Sequence, residues 1–396
     1  MSVQPAIVVV AYNRARSLSR LLQSLDRANY DDQDARLVIC IDYADSDANR
    51  EVNKVASEFV WRHGEKNVIA QDENLGLRKH VLACGDLSQK YGSIIMLEDD
   101  LTVGPEFYRY SKAALDFVSE DSAIGGVSLY DHRTNFVCRL PFAPLYDGHN
   151  NYYLQIASSW GQAWTSQQWS AFRNWYAELD ENEQQKIPDQ APIPTVVINW
   201  PATSWLKYFI WYLAANQKFF LYPRFSHSTN HADAGANIDK GTVAWQVPLT
   251  MCQKTFTFSK LDESMAVYDS FFEVLPSRLK KLADNLSDFD FELDLYGTKR
   301  LSAIRSTHLL SSRPCSSAKH RFNLTVKPLE ANLVETADSD GQGHVFSLAA
   351  VEDFDGSAVS NLNYRSLRVI QYFYAGFSLR DVLRNLGSYF LQKRKR

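Results

Sequence analysis

Over its first 130 residues the chain alternates short apolar runs with segments of helical period, and few architectures accept that pattern. AIVVVAY leads to SLSRLLQSLDRA, RLVICID to SDANREVNKVASEFVWRHG, NVIAQ to GLRKHVLACGDLSQKYG, and SIIMLEDD to PEFYRYSKAALDFVSED, before a fifth run, AIGGVSLY. Such alternation specifies an α/β fold with a mostly parallel sheet flanked by helices, and strands covered on both faces must be nearly all apolar. The first helix is expected to begin with Ser17 as N-cap and to bury Leu18, Leu21, Leu22 and Leu25, which share one face.

A chain of 396 residues with 45% hydrophobic content has room for one such domain and an appendage. The main domain is expected over 1–270, in halves of about 1–130 and 131–270. The second half is rich in Trp, Tyr, Asn and His, as in SSWGQAWTSQQW and FSHSTNHADAGAN. A β-rich module follows over 271–365, where DFDFELDLYG, RFNLTVKP and HVFSLAAV show period-two patterning. Residues 366–396 read as a basic amphipathic helix. In SLRDVLRNLGSYFLQKRKR, Leu379, Val382, Leu383, Leu386 and Phe390 share a face, and Arg380, Arg384 and the last four residues are basic. Such a helix suits an anionic membrane surface or a docking site on the protein itself.

In a parallel sheet, ligands collect beyond the carboxyl ends of the strands. The fourth run ends there in Glu98, Asp99 and Asp100. Three adjacent carboxylates repel one another unless a cation or donors neutralise them, so a hard divalent ion is one reading. The other is a capping cluster ahead of a helix whose first turn holds Pro105 and Glu106. Strand alternation would put Glu98 and Asp100 on one side and Asp99 on the other.

The neighbouring strand ends are polar as well. The first closes in Tyr12, Asn13 and Arg14, the second in Asp42, and the third leads into DENLGLRKH with Asn74, Gly76, Arg78 and Lys79. Together they offer a carboxylate for ribose or base edges, guanidinium and amine for phosphates, and a cation site.

Other classes are disfavoured. A net charge of −4 supplies no basic field for nucleic acid. The five cysteines are scattered, with no C-x-x-C spacing, which argues against a disulfide framework or a zinc site and for a reducing compartment. MSVQPAIVVV lacks a basic leader, and WLKYFIWYLAANQKFFLY is interrupted by Lys207 and Lys218, so a cytoplasmic location is expected, at most peripheral to the inner face of the membrane.

The ordered set VVAYNR, ID, NLGLRKHV, IIMLEDDLTVGPEFYRY, SSWGQAW and YPRFSHSTN, over residues 5 to 240, resembles the GT-A fold glycosyltransferases. It resembles bacterial cell-surface polysaccharide transferases and, more distantly, Golgi N-acetylglucosaminyltransferases, which share the E-D-D-L plus P-x-F-F arrangement. The resemblance implies a nucleoside-diphosphate sugar donor, Mn²⁺ or Mg²⁺ held by Asp100, and Glu98 and Asp99 facing sugar and ribose. Asp42 and Arg14 would lie at the nucleotide, with Tyr12 and Asn13 beside them, and Asn74, Gly76, Arg78 and Lys79 near pyrophosphate and sugar. Trp160 and Gly161 would shape the acceptor side. The acceptor would be a glycan or lipid-linked saccharide, glycosylated with inversion.

One departure stands out: Leu206 occupies the place where the family tends to carry its catalytic acid. Asp131, in LYDHR, and Asp233 remain as candidate bases. His227 and His231 read as hydrogen-bonded loop residues, and Trp164, Trp169 and Trp175 as core. A binding protein that has lost its base is the competing function. A nucleotidyltransferase is disfavoured because AYNRARSL lacks a glycine-rich phosphate loop.

Overall fold

All five apolar runs form strands. In the computed structural model, which describes residues 3–31, 34–234, 242–252, 255–336, 344–355 and 364–374, they are β1 (Ala6–Ala11), β2 (Leu37–Ile41), β3 (Lys66–Ala70), β4 (Ser93–Glu98) and, after a short β5 (Leu101–Val103), β6 (Ile124–Ser128). The chain divides into two units, Met1–Arg133 with Tyr146–Phe272 and Thr134–Leu145 with Glu273–Arg396. In the second, β7 (Thr134–Asn135) and β8 (Leu140–Pro141) form a small hairpin. The first unit adds β9 (Asn151–Leu154), β10 (Gln162–Thr165), β11 (Phe219–Pro223), β12 (Ser228–Asn230) and β13 (Val267–Tyr268).

Nine strands of the first unit make one sheet in the order β13-β9-β11-β6-β10-β4-β1-β2-β3. From β4 to β3 every pairing is parallel, and β10 runs antiparallel between β4 and β6. β1 and β2 are buried throughout, as their composition requires, whereas the edge strand β3 is half-buried. The register pairs Val10 with both Cys40 and Glu98. The chain leaving β1 therefore emerges between the ends of β2 and β4, which puts Arg14 between Asp42 and the acids.

The first helix spans Ala15–Asp26 and buries Leu18, Leu21, Leu22 and Leu25 as expected, but its N-cap is Arg14. Ser17 lies inside the helix, where its hydroxyl donates to Asp233 Oδ2 at 2.6 Å rather than capping. The acidic triplet does not lead straight into a helix either. β5 intervenes and pairs with β12, and the helix begins at Phe107, so Pro105 lies outside it and Glu106 is its N-cap. Trp164 and Trp169 are core, stacked at 4.5 Å, and a Cβ on Gly85 would meet the Trp169 ring at 2.1 Å.

The second unit carries a four-stranded sheet, β14 (Phe291–Asp294), β15 (His308–Ser311), β16 (His320–Phe322) and β17 (Phe346–Ala350), in the order β14-β15-β17-β16. The period-two segments supply three of its strands, with Phe291 and Leu293 inward. A helix at Tyr364–Phe373 also belongs to this unit. The amphipathic face from Leu379 to Phe390 and the basic end lie outside the described residues. Among the described residues no helix is long and apolar enough to cross a membrane.

Candidate functional site

A cleft of ≈ 830 Å³ opens at the carboxyl ends of β1, β2 and β4. One wall is charged, with Arg14, Asp42, Glu98, Asp99, Asp100 and Asp233; the other is largely apolar, with Trp160, Trp200, Trp205, Leu206 and Trp245. Tyr12, Asn13, Asn74 and Gly76 also line it.

The charged wall follows from where β4 stops. Because the strand ends at Glu98, alternation stops there too, and Asp99 and Asp100 sit in a turn, so all three acids line the cleft rather than dividing between two faces. Arg14 reaches across from β1. Its Nη1 donates to Asp100 Oδ2 at 2.9 Å, and its Nη2 pairs with Asp99 Oδ1. The β5–β12 pairing sets Asn230 opposite Leu101, and Asn230 Nδ2 donates to Asp100 Oδ1 at 3.1 Å. Each oxygen of Asp100 thus has a donor.

The cluster still carries excess negative charge. Burial and the neighbouring Asp100 push the Glu98 carboxyl up to about 8, and burial raises Asp99 to about 6 although Arg14 opposes it.

Asp42 works on the backbone. Its Oδ1 accepts from the N–H groups of Tyr43 (3.0 Å) and Leu75 (2.9 Å), and its Oδ2 from that of Gly76 (3.0 Å). It thereby holds the start of the helix Gly76–Asp86, where Gly76 has φ +72°. Asn74 Nδ2 donates to the Tyr43 carbonyl at 2.6 Å, and buried Asn49 ties the carbonyls of Tyr12 and Asp42 together. The loops after β1, β2 and β3 are cross-linked by these bonds.

Arg78 and Lys79 do not line the cleft. The Arg78 guanidinium lies 4.7 Å from the Tyr208 ring centroid and donates to the Gln184 carbonyl at 2.8 Å, while Lys79 is exposed. Gly161 has φ +97°, and a Cβ there would come within 2.8 Å of Ser228 Oγ. That close approach lets Ser228 donate to the Trp160 carbonyl at 2.5 Å, with the Trp160 ring 5.2 Å from Trp245 and 4.7 Å from Tyr130.

The two candidate bases differ. Asp131 is buried away from the cleft lining, paired with Arg133 at 2.6 Å and accepting from the Tyr152 hydroxyl at 3.2 Å, and burial raises its pKa to about 7. Asp233 lines the cleft and is about one-third exposed, but Arg20 and Ser17 both bond its Oδ2 and hold its pKa below the usual carboxylate value against the opposing effect of burial. Leu206, at the start of the helix Leu206–Ala215, lines the cleft beside Trp205. His231 bonds Thr102 Oγ1 at 2.8 Å, and His227 is buried and stacked on Tyr110 at 4.2 Å, both as loop residues. Sequence reasoning missed His80, Asn230 and the tryptophans 200, 205 and 245. Asn230 comes from β12 and His80 from within the helix Gly76–Asp86, while the tryptophans come from loops and a helix end whose spacing carries no periodic signal.

Residues 1–137 match the GNT-I family. No curated protein matches the chain. Solved structures with some likeness include S. aureus TarS 1-349, at 9% identity over 56% of this chain and 59% of that one, with a TM-score of 0.35. Others are GalNAc-T7 with UDP, GalNAc and Mn²⁺, at 13% over 57% and 43% (TM-score 0.36), and the mannosyltransferase PcManGT from Pyrobaculum calidifontis with GDP-Man and Mn²⁺, at 12% over 43% and 47% (TM-score 0.31). The chain spans roughly half the length of the solved structures it matches. The match to the GNT-I family covers the strands that build the charged wall, and over residues 1–137 it bears out the resemblance to GT-A glycosyltransferases drawn from the motifs.

Proposed function

We propose that the chain transfers a sugar from a nucleoside diphosphate to a hydroxyl of a glycan or lipid-linked acceptor, with inversion. The observation that carries this reading is the division of one cleft, among the described residues, into a wall of five acidic side chains with a single guanidinium and a wall of tryptophans. The first suits a diphosphate accompanied by a cation, the second the apolar faces of a sugar ring.

Among the described residues no three His, Cys, Asp or Glu side chains are gathered as a complete metal site. The residues nevertheless fit a cation that shares its coordination with a ligand. Among the described residues the acids of the lining outnumber its one guanidinium. Asp100 would hold Mn²⁺ or Mg²⁺, which when bound supplies positive charge to the leaving diphosphate.

The chain's own groups would do the rest. Asp42 keeps the Asn74–Gly76 loop in shape, Arg14 stands at the diphosphate, and Trp160 and Trp245 orient the acceptor sugar. The acceptor hydroxyl gives its proton to Asp233, its oxygen bonds the anomeric carbon, and the bond to the diphosphate breaks with its electron pair leaving on the phosphate oxygen. Of the two candidate bases Asp233 is favoured because it lines the cleft. Synthesis of a surface polysaccharide at the inner face of the cytoplasmic membrane would provide lipid-linked acceptors of this kind.

Leu206 supports a second reading, a nucleotide- or glycan-binding protein without turnover. A panel of UDP-, GDP- and dTDP-sugars with Mn²⁺ separates the two. Release of nucleoside diphosphate from one donor, lost in Asp100→Ala, supports the transferase. Binding without turnover, even with acceptor saccharides, supports the second reading, and binding of neither these donors nor acceptor saccharides defeats both.

A further inference from the structure

The cleft presents an electrostatic problem that the transferase reading does not by itself solve. Among the described residues its lining holds the acids Asp42, Glu98, Asp99, Asp100 and Asp233, of which Asp233 is paired with Arg20 outside the lining, and Arg14 is the only Arg or Lys that lines it. That single guanidinium is already engaged, with Nη1 on Asp100 Oδ2 at 2.9 Å and on the Asp233 carbonyl at 3.4 Å, and Nη2 on Asp99. An entering diphosphate would meet like charge on the strand ends and find, among the described residues, no basic side chain of the lining at liberty to receive it.

The partners also differ in their freedom to move. The Asp99 and Asp100 side chains are 4% and 7% exposed and follow directly from β4, whereas the Arg14 side chain is 25% exposed at the cleft wall. Asn230, the other donor to Asp100, is anchored in β12 through its pairing with Leu101. Of the groups around Asp100, Arg14 is therefore the one able to leave.

Resting on the transferase reading, we infer that Arg14 is an exchangeable counter-ion: with the cleft empty it neutralises Asp99 and Asp100, and it gives up Asp100 to a divalent cation when a nucleoside diphosphate enters to receive the guanidinium. One side chain then serves two partners in turn. The acids are kept from repelling one another in the free protein, and the cation is admitted preferentially together with the nucleotide. A guanidinium suits this exchange because its fork bonds carboxylate and phosphate oxygens with the same geometry.

The inference predicts opposite effects of one substitution on two binding events. Mn²⁺ binding to the full-length chain, followed by loss of the free-ion paramagnetic resonance signal, is measured alone and with UDP or GDP. Arg14→Ala is expected to bind Mn²⁺ alone about tenfold more tightly than the wild type, and the nucleotide in the presence of Mn²⁺ about tenfold more weakly. Arg14→Lys, which keeps the charge but loses the fork, should fall between them on both measurements and guards against a folding defect in the alanine variant, as does its melting curve. If Arg14→Ala and the wild type bind Mn²⁺ alone equally, the exchange is overturned and the transferase reading survives. If none of the three chains binds Mn²⁺, with or without nucleotide, both fall.

Discussion

Two strand ends in this chain bury acids beside an arginine, and they are solved in opposite ways. At the end of β14 in the second unit, Asp294 is fully buried and its Oδ2 receives Arg313 Nε at 2.9 Å, while its Oδ1 accepts the Lys299 N–H at 2.8 Å. Arg313 in turn donates to the carbonyls of Gly297 (2.9 Å) and Lys299 (2.6 Å). One carboxylate meets one guanidinium, and backbone groups satisfy what is left. At the end of β4, Asp99 and Asp100 share one guanidinium, with Glu98 beside them at the open cleft. A balanced buried pair leaves neither charge unanswered, whereas an unbalanced one at a cleft is a demand for something from outside.

The comparison breaks if removing an acid costs the same in both places. Asp294→Ala strands the buried Arg313 charge and should destabilise the second unit by about 3–5 kcal/mol in chemical denaturation, leaving nucleotide affinity in the first unit unchanged. Asp100→Ala removes one of several crowded carboxylates, so stability should stay within about 1 kcal/mol of wild type while transfer falls at least about 100-fold. A large loss of stability in Asp100→Ala, with any remaining folded protein fully active, would make the acidic triplet structural.

Sequence patterning separates these two sites only in part: the period-two rhythm of DFDFELD assigns its acids to the wet face of a strand, yet Asp294 is fully buried. DFDFELD and IIMLEDD both read as apolar strands with acids at their ends, and the period-two pattern correctly put Phe291 and Leu293 inward. Strand–helix alternation was equally legible, because each burial pattern is local. What the sequence could not carry was the partner. Asp294 meets Arg313 from β15's end 19 residues away, and Asp100 meets Arg14 from 86 residues away. The same limit explains Asp42, whose engagement with the N–H groups of Leu75 and Gly76 depends on β2 and β3 being neighbours, and Arg78, which the motif assigned to pyrophosphate. The aromatic wall was legible only at Trp160, since Trp200, Trp205 and Trp245 are brought together by loops without periodicity.

The two candidate bases sharpen the comparison through pH. Asp131 is the buried acid whose folded pKa is raised, to about 7, so the folded state holds a proton that the unfolded chain releases near the ordinary value of 3.8. Its contribution to stability is complete below about pH 4 and is lost as pH rises through about 7. Asp233 has the opposite sign. Arg20 and Ser17 lower its pKa, so its contribution is present above the ordinary value and is lost as pH falls through the depressed one. Melting curves of Asp131→Asn and Asp233→Asn between pH 3 and 8 should therefore change slope in opposite directions relative to wild type. Parallel changes would mean that Asp131 is ionised in the folded protein, its pairing with Arg133 outweighing burial.

The smallest effect is expected at Arg78, and it tests whether a motif residue has left the site its spacing implies. The guanidinium joins its own helix to three others of the first unit: it lies over the Tyr208 ring, reaches the Tyr176 hydroxyl at 3.3 Å, and shares the Gln184 carbonyl with the Tyr208 hydroxyl, which donates to it at 2.6 Å. Losing one ring contact and two hydrogen bonds should cost about 1–2 kcal/mol of stability in Arg78→Ala. Because the side chain lies off the cleft lining, nucleotide affinity should change by less than about twofold. Arg78→Lys would recover little of the loss, since an ammonium cannot lie flat on the ring and bond two oxygens at once. A tenfold loss of nucleotide affinity with unchanged melting would instead return Arg78 to the pyrophosphate, and would require the helix Leu206–Ala215 to release it when the donor binds.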